Sequence, residues 1–201
     1  MSTRGIIAVE DPDKTCRAIY VHFDMYLDGV GICLTQHYTT PERVEKLLAL
    51  GGLSALGDKL SKDAPEPEAQ DVCIAYHRDY GESYKAPCVW ETADKLLEQE
   101  LERLTMTEQV PLQDIVILGG HSLEHTSIGA NPDVGRFHIV NRTAKIGAME
   151  IAYFTYMKYK GCESKVVILL EVDDEDERWA NKNGIYTAMS RAVHQLIMIR
   201  K

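Results

Sequence analysis

The chain has 201 residues, 45% of them hydrophobic and 26% charged, with a net charge of −9. That length buries one large core or two small ones, and the composition is that of a globular protein. No apolar run approaches the roughly 20 residues that span a bilayer, so no membrane association is expected.

The start, MSTRGIIAVED, lacks the basic-then-apolar layout of a signal peptide. Five cysteines are scattered and none stands in a CxxC pair. This reads as reduced thiols in a cytoplasmic protein, without a disulfide frame or a zinc site. Charge is unevenly shared. Residues 1–104 carry 11 Lys and Arg against 19 Asp and Glu, whereas residues 105–201 carry 11 against 12. An acidic first half argues against broad nucleic-acid binding there, and the asymmetry suggests two units.

Alternation in Arg4–Val9, a turn at Asp11-Pro12-Asp13 and a second run at Cys16–His22 predict a β-hairpin. A helix is expected next. Thr40 stands at its N-cap, Pro41 at its first position, and Gly51-Gly52 beyond its end. Residues 61–70 are a polar loop, and Asp71–Tyr76 reads as a strand. From Thr92 to Leu104, the leucines 96, 97, 101 and 104 share one helical side, which makes this segment the expected connector.

The second half reads differently. Asp114–Leu118, Phe137–Val140, Ile151–Thr155, Val166–Leu170 and Gln195–Ile199 are short apolar strands. A helix over Gly184–His194, with Ile185, Ala188, Met189 and Ala192 on one face, precedes the last. Strands apolar on both faces and separated by helices and loops predict a parallel α/β sheet.

Ligands of such sheets sit at the carboxyl ends of the strands. Thr155 ends one strand, Lys160-Gly161-Cys162-Glu163 leads to the next, and Ser190-Arg191 lies ahead of the last. A hydroxyl, glycine amides, a carboxylate and an arginine suit a nucleotide or a nucleic-acid backbone. Arginine can also neutralise charge on a γ-phosphate. Lys-Gly turns and solvent-facing arginines are common, however, and on spacing alone a purely structural role remains the simpler reading.

The order of these pieces adds to that. "FTYMKYKGCESKVVILL" followed by "IYTAMSRAVHQLIMI" resembles the last motifs of UvrD/Rep-type superfamily 1 helicases. The penultimate motif of that family runs T-x-H-x-x-K/Q-G-x-E before an apolar strand. Thr155, Lys160, Gly161 and Glu163 match it, while Met157 replaces the histidine. The final motif is matched by Tyr186, Ala188, Ser190, Arg191 and Ala192. The resemblance covers about residues 105–201 and implies a truncated second RecA-like domain. It implies a nucleic-acid contact at Thr155 with neighbouring Lys158, a nucleotide contact through Lys160, Gly161 and Glu163, and a γ-phosphate contact at Arg191.

The family's phosphate loop, G-x-x-x-x-G-K-[ST], does not occur in the sequence. Gly52–Lys59 imitates it but sets Asp58 where lysine is required. ATP would therefore be held only with a partner supplying the first RecA-like domain, and single-stranded DNA is the other expected partner. No metal site is expected, and no catalysis by the chain alone. Residues 1–97 are similar to small phage- and prophage-associated proteins of unknown function, which implies an α+β unit and allows a fusion near 98–112. The expected architecture is therefore α/β, an α+β unit over 1–104 followed by a RecA-like unit over 105–201. Two other functions stay open, a half-site completed in trans and a non-catalytic interaction or fusion protein of phage origin.

Four further groups carry titratable side chains. His22 with Asp24 and His77 with Asp79 pair imidazole with carboxylate, but no nucleophile accompanies them and strand-end surface positions explain them. His121, Glu124 and His125 have the spacing of a ligand trio, yet the flanking glycines favour an irregular loop. Asp173–Glu177 reads as a solvated acidic loop.

Overall fold

The computed structural model describes residues 4–25, 27–61, 71–141, 147–173, 176–179 and 182–200. Strand β1 (Gly5–Glu10) turns into β2 (Cys16–Val21), followed by α1 (Ile32–His37), α2 (Pro41–Leu48), β3 (Leu53–Ala55), β4 (Ile74–Ala75) and α3 (Tyr76–Tyr80). Then come β5 (Cys88–Trp90) and α4 (Ala93–Glu102). The remainder is β6 (Ile115–Gly119), β7 (Asp133–Val134), β8 (Phe137–Val140), β9 (Glu150–Thr155), β10 (Ser164–Val172), α5 (Lys182–Met189) and β11 (Ala192–Arg200). Among the described residues, no helix is long and apolar enough to cross a membrane.

All eleven strands join one mixed sheet, ordered β4-β3-β2-β1-β11-β10-β6-β9-β8-β7, with β5 also paired to β2. Its centre, from β1 to β8, is parallel. Antiparallel pairs flank this centre, the β1–β2 hairpin at one end and β7–β8 at the other, and beyond β2 the pairing is mixed, parallel to β3 and antiparallel to β5. The fold is thus α/β with a mostly parallel sheet, as the buried apolar strands demand. All of Val166–Leu170 in β10 is buried.

Local chemistry accounts for the elements. In the β1–β2 turn Lys14 takes φ 75°, and the Asp13 carboxylate accepts from the Thr15 amide at 3.0 Å. Arg17 then reaches back to Asp11 (2.5 Å) and across to Glu45 on α2 (2.6 Å), fastening the turn to the helix. The Thr92 hydroxyl accepts from the Lys95 amide at 3.3 Å and caps α4. Leu96, Leu97, Leu101 and Leu104 are all fully buried.

Helix α4 covers one face of the sheet. Its leucines pack with Ala8, Cys16 and Ala18 from the hairpin and with Ile117, Ile168 and Ile197 from the centre. On the other face, Leu47 and Leu48 of α2 lie with Ile7, Ile19 and Val21. Beside them, Ile185, Ala188 and Met189 of α5 pack with Val167, Leu169 and Leu196.

This architecture corrects three expectations. Residues 1–104 and 105–201 do not form separate sheets or cores. Strand β1 pairs in parallel with β11, matching Ile7 with Met198 and Val9 with Arg200. The Gln195 side chain also donates to the Arg4 carbonyl at 2.8 Å. The physical reason lies in β1 itself, where Ile7 and Ala8 are both buried and so require cover on both faces. The predicted connector is accordingly shared core. Second, the strand expected over Asp71–Tyr76 is reduced to β4, because Tyr76 opens α3, where the Asp79 carboxylate accepts from the Ala75 amide at 2.8 Å. Third, the helix expected to reach His194 stops at Met189. The Arg191 carbonyl already accepts from the Ser164 amide at 3.0 Å, which starts the β10–β11 ladder.

A core shared in this way predicts a single unfolding transition. Leu101→Ala should cost about 2–5 kcal/mol. Trp90 and Trp179, one from each half, should report the same denaturation midpoint by fluorescence of single-tryptophan variants; separated midpoints would restore two units.

Candidate functional site

The residues singled out by sequence fall on two opposite edges of the parallel sheet. Thr155 pairs with Gly119 at the carboxyl ends of β9 and β6. Ser164 pairs with Ala192 at the amino ends of β10 and β11. In β10 the two levels correspond to Ser164 and Leu170, six residue steps or about 20 Å apart. The expectation that Thr155, Lys160, Gly161, Glu163 and Arg191 converge at the carboxyl edge is therefore incorrect. The segment between β9 and β10 travels back across the sheet, since a strand that is to run parallel to its predecessor must begin at the opposite edge. Its lysine-glycine end is delivered to the amino edge.

That return segment explains part of the motif. The Thr155 carbonyl accepts from the amides of Lys158 (2.9 Å) and Tyr159 (3.2 Å), and its hydroxyl receives Lys158 at 3.4 Å. Thr155 thus opens a helical turn. Gly161 closes it at φ +86°, a conformation costly for residues with a Cβ. The Tyr159 hydroxyl donates to the Glu163 carbonyl at 3.1 Å, and its ring packs on Phe154 at 5.2 Å. Lys158, Lys160, Gly161 and Glu163 are exposed, and Met157, in the histidine position of the motif, is 62% exposed.

Arg191 is half-buried at the same amino edge as Glu163. Its guanidinium donates to the carbonyls of Thr187 (3.1 Å) and Cys162 (3.3 Å) and to the Ser190 hydroxyl (2.8 Å). The Thr187 contact satisfies a terminal carbonyl of α5, where a cation is favoured. Arg191 therefore joins the end of α5 to the loop that carries Gly161 and Glu163.

The carboxyl edge holds a different group. A crevice of about 250 Å³ lies among His121, His125, Glu171, Asp173 and Asp176. Gly120 lines it beside Trp179, which lies so close that a Cβ at Gly120 would strike the indole, and at the neighbouring Gly119 a Cβ would strike Tyr153. The His121 ring lies 2.5 Å from Asp176. Burial raises the Asp176 pKa, but the Arg178 amide and the His121 ring outweigh it, so that the carboxyl sits below its usual range. Glu171, at φ 55°, accepts from the Ser127 amide at 2.7 Å. Asp94 accepts from the Ser127 hydroxyl at 3.2 Å; burial pushes its pKa up, and Glu171 and Glu10 add to the shift. Sequence reading missed this grouping of Glu10, Asp94 and Glu171 because its members come from three distant segments, each ordinary by itself.

The other candidates do not converge. His121 turns to Asp176, while Ser122 bonds Glu124 at 2.7 Å and His125 at 3.2 Å. Among the described residues, no group of three or more His, Cys, Asp or Glu is arranged to hold a metal ion. His22 contacts Tyr20, and the His77 ring bonds the Glu82 carbonyl. Of the acidic loop at 173–177, residues 174 and 175 lie outside the described residues. In the phosphate-loop imitation, Asp58 is buried and accepts from the Asp71 amide at 2.8 Å, a structural role.

No protein-family profile matches the chain, and no curated protein matches it in sequence. Among solved structures, it is similar to the crystal structure of the C-terminal domain of a possible DNA helicase from Lactobacillus plantarum WCFS1. The similarity covers 54% of this chain at 18% identity, with a TM-score of 0.39. The chain spans 66% of that structure's length, just under two thirds.

The Asp176 carboxyl gives a pH prediction. A folded-state pKa below the unfolded value stabilises the protein above the unfolded pKa, and the contribution disappears as pH falls through the folded one. Asp176→Asn should therefore be less stable than the parent at neutral pH. The difference should close below about pH 4, as measured by urea unfolding across pH. A gap that widens in acid would contradict this.

Proposed function

We propose that the chain is a helicase-derived module that contacts nucleotide and DNA but does not turn over ATP alone. The observation that carries the reading is the Arg191–Cys162 contact, which sets an arginine beside Gly161 and Glu163 at one sheet edge. Each of the two motifs also stands immediately before a parallel strand, β10 or β11. Under this reading Lys160, Gly161 and Glu163 meet a nucleotide at the amino edge, and Arg191 meets its γ-phosphate. Thr155 and Lys158 meet a nucleic-acid backbone from the other end of the strands. The nearby crevice residues Glu171, Asp173 and Asp176 oppose a polyanion, so DNA binding is weak and falls steeply with salt.

A second reading is favoured by the exposure of that amino edge. Lys160, Gly161 and Glu163 are solvent-facing, and Tyr186 and Val193 are 56% and 54% exposed. Such a wall suits a half-site completed in trans by a protein bearing the phosphate loop.

Both readings expect no ATP hydrolysis by the purified chain, with or without single-stranded DNA. Adding a protein that bears a first RecA-like domain should produce turnover under the second reading alone. Arg191→Ala should then reduce turnover by about 10³-fold or more, while Arg191→Lys, which keeps the charge near the α5 terminus, controls for lost capping. Arg191-dependent hydrolysis by the chain alone would overturn both. Failure of a fluorescent ATP analogue and of single-stranded DNA to bind at low salt would overturn the first.

A further inference from the structure

Away from both edges of the parallel centre, the outer side of β2 borders a cleft of about 410 Å³, within the roughly 300–1,000 Å³ typical of small-molecule sites. The cleft opens where β2 changes partners. Strand β5 pairs with Cys16–Ala18 and β3 pairs at Val21, leaving Ile19 and Tyr20 to line the gap between them. Tyr76 and His77 of α3 form one wall, and the segment Glu82–Cys88 forms the other.

These walls are held in place. Gly51 has φ +69°, and a Cβ there would come within 2.5 Å of the Lys85 carbonyl, so the wall segment lies directly on the turn after α2. The His77 Nδ1 is 2.8 Å from the Glu82 carbonyl, and Tyr84 packs edge-on against the imidazole at 5.5 Å. A carbonyl only accepts, so Nδ1 carries the proton and the neutral ring has Nε2 as its acceptor. The cleft thus combines two tyrosine rings, an oriented acceptor and an apolar floor from Ala18, Ile19 and Leu50. Glu82 and Lys85 contribute one charge of each sign.

We infer that this cleft binds an uncharged heteroaromatic ring of nucleobase or nucleoside size. Tyrosine rings stack on such a ring with little regard to its substituents, and His77 Nε2 accepts from a ring N–H or exocyclic amine. An anionic ligand is disfavoured because the cleft has no excess of cations and residues 1–104 carry a net charge of −8 (11 Lys and Arg against 19 Asp and Glu). The inference rests on the first half of the chain and is independent of the helicase-derived reading.

The test is saturation-transfer NMR on the full chain with adenosine and uridine as probes, up to about 5 mM, a range that detects millimolar affinity. Transfer to at least one nucleoside is expected. Gly52→Leu should weaken it at least tenfold by filling the cleft. A Cβ at Gly52 meets Tyr76 at 3.7 Å, an ordinary contact, so the variant should keep its circular dichroism and unfolding midpoint. His77→Phe, which keeps a ring but loses the acceptor, should weaken binding similarly. Absence of transfer to both nucleosides, or binding indifferent to Gly52→Leu, would overturn the assignment. Adenosine 5′-monophosphate binding more tightly than adenosine would overturn its uncharged character.

Discussion

The parallel pairing of β1 with β11 brings the two ends of the chain together, and the rest of the sheet depends on it. Strand β11 is buried from Gln195 to Ile199 and has β10 on one side. Without β1 its other side would present unpaired backbone groups at the edge of an apolar strand, a costly and aggregation-prone arrangement. Gln195 adds a side-chain hydrogen bond to the Arg4 carbonyl, and the Leu196 amide reaches the Met25 carbonyl at 3.4 Å. The contact is long in sequence, but loop-closure entropy grows only slowly with loop length. Burial of Ile7, Ala8, Met198 and Ile199 together more than offsets that increment.

Once β1 joins the centre, the positions of the described segments at its two edges follow. The hairpin turn, the N-terminus of α4 and the ends of β6, β9 and β10 all reach the carboxyl edge, which brings Glu10, Asp94 and Glu171 together. The loop before β10 and the residues before β11 reach the amino edge, which brings Gly161, Glu163 and Arg191 together. Glycine decides two close approaches at the carboxyl edge. Gly119 admits the Tyr153 ring and Gly120 admits Trp179, itself stacked on Tyr156 at 5.1 Å. Larger residues at either position would push the β6 end away from the layer beneath it.

Much of this was legible in the sequence where the signal is local. The hairpin, α2, α4 and the strands β6, β8, β9, β10 and β11 each show in periodicity, capping residues or apolar runs, with ends displaced by a few residues. The pairing of β1 with β11 was not legible, because a half-alternating strand reads the same beside one neighbour or two. The acidic first half also suggested a separate body, although, Asp58 and Glu100 apart, its described charges are exposed or half-buried and say little about which strands share a core. At the site, spacing marked Glu163 and Arg191 without giving the edge they occupy. That depended on the direction taken by the segment after Thr155, which is set by β10 running parallel to β9.

Arg191 shows how one side chain serves helix, loop and candidate site together. An arginine at a helix end needs no ligand to explain it, since the Thr187 carbonyl and the dipole of α5 hold it there. The Cys162 contact goes beyond capping. It crosses to the loop ahead of β10, and the Ser190 hydroxyl braces the guanidinium from the other side while donating to Thr187 at 2.9 Å. These contacts fix the planar group at a sheet edge without a carboxylate partner among the described ion pairs. A guanidinium bonded mainly to neutral oxygens keeps its full charge available to an anion and has already lost much of its rotational freedom. Here that restraint comes from the same contacts that end α5 and begin β11.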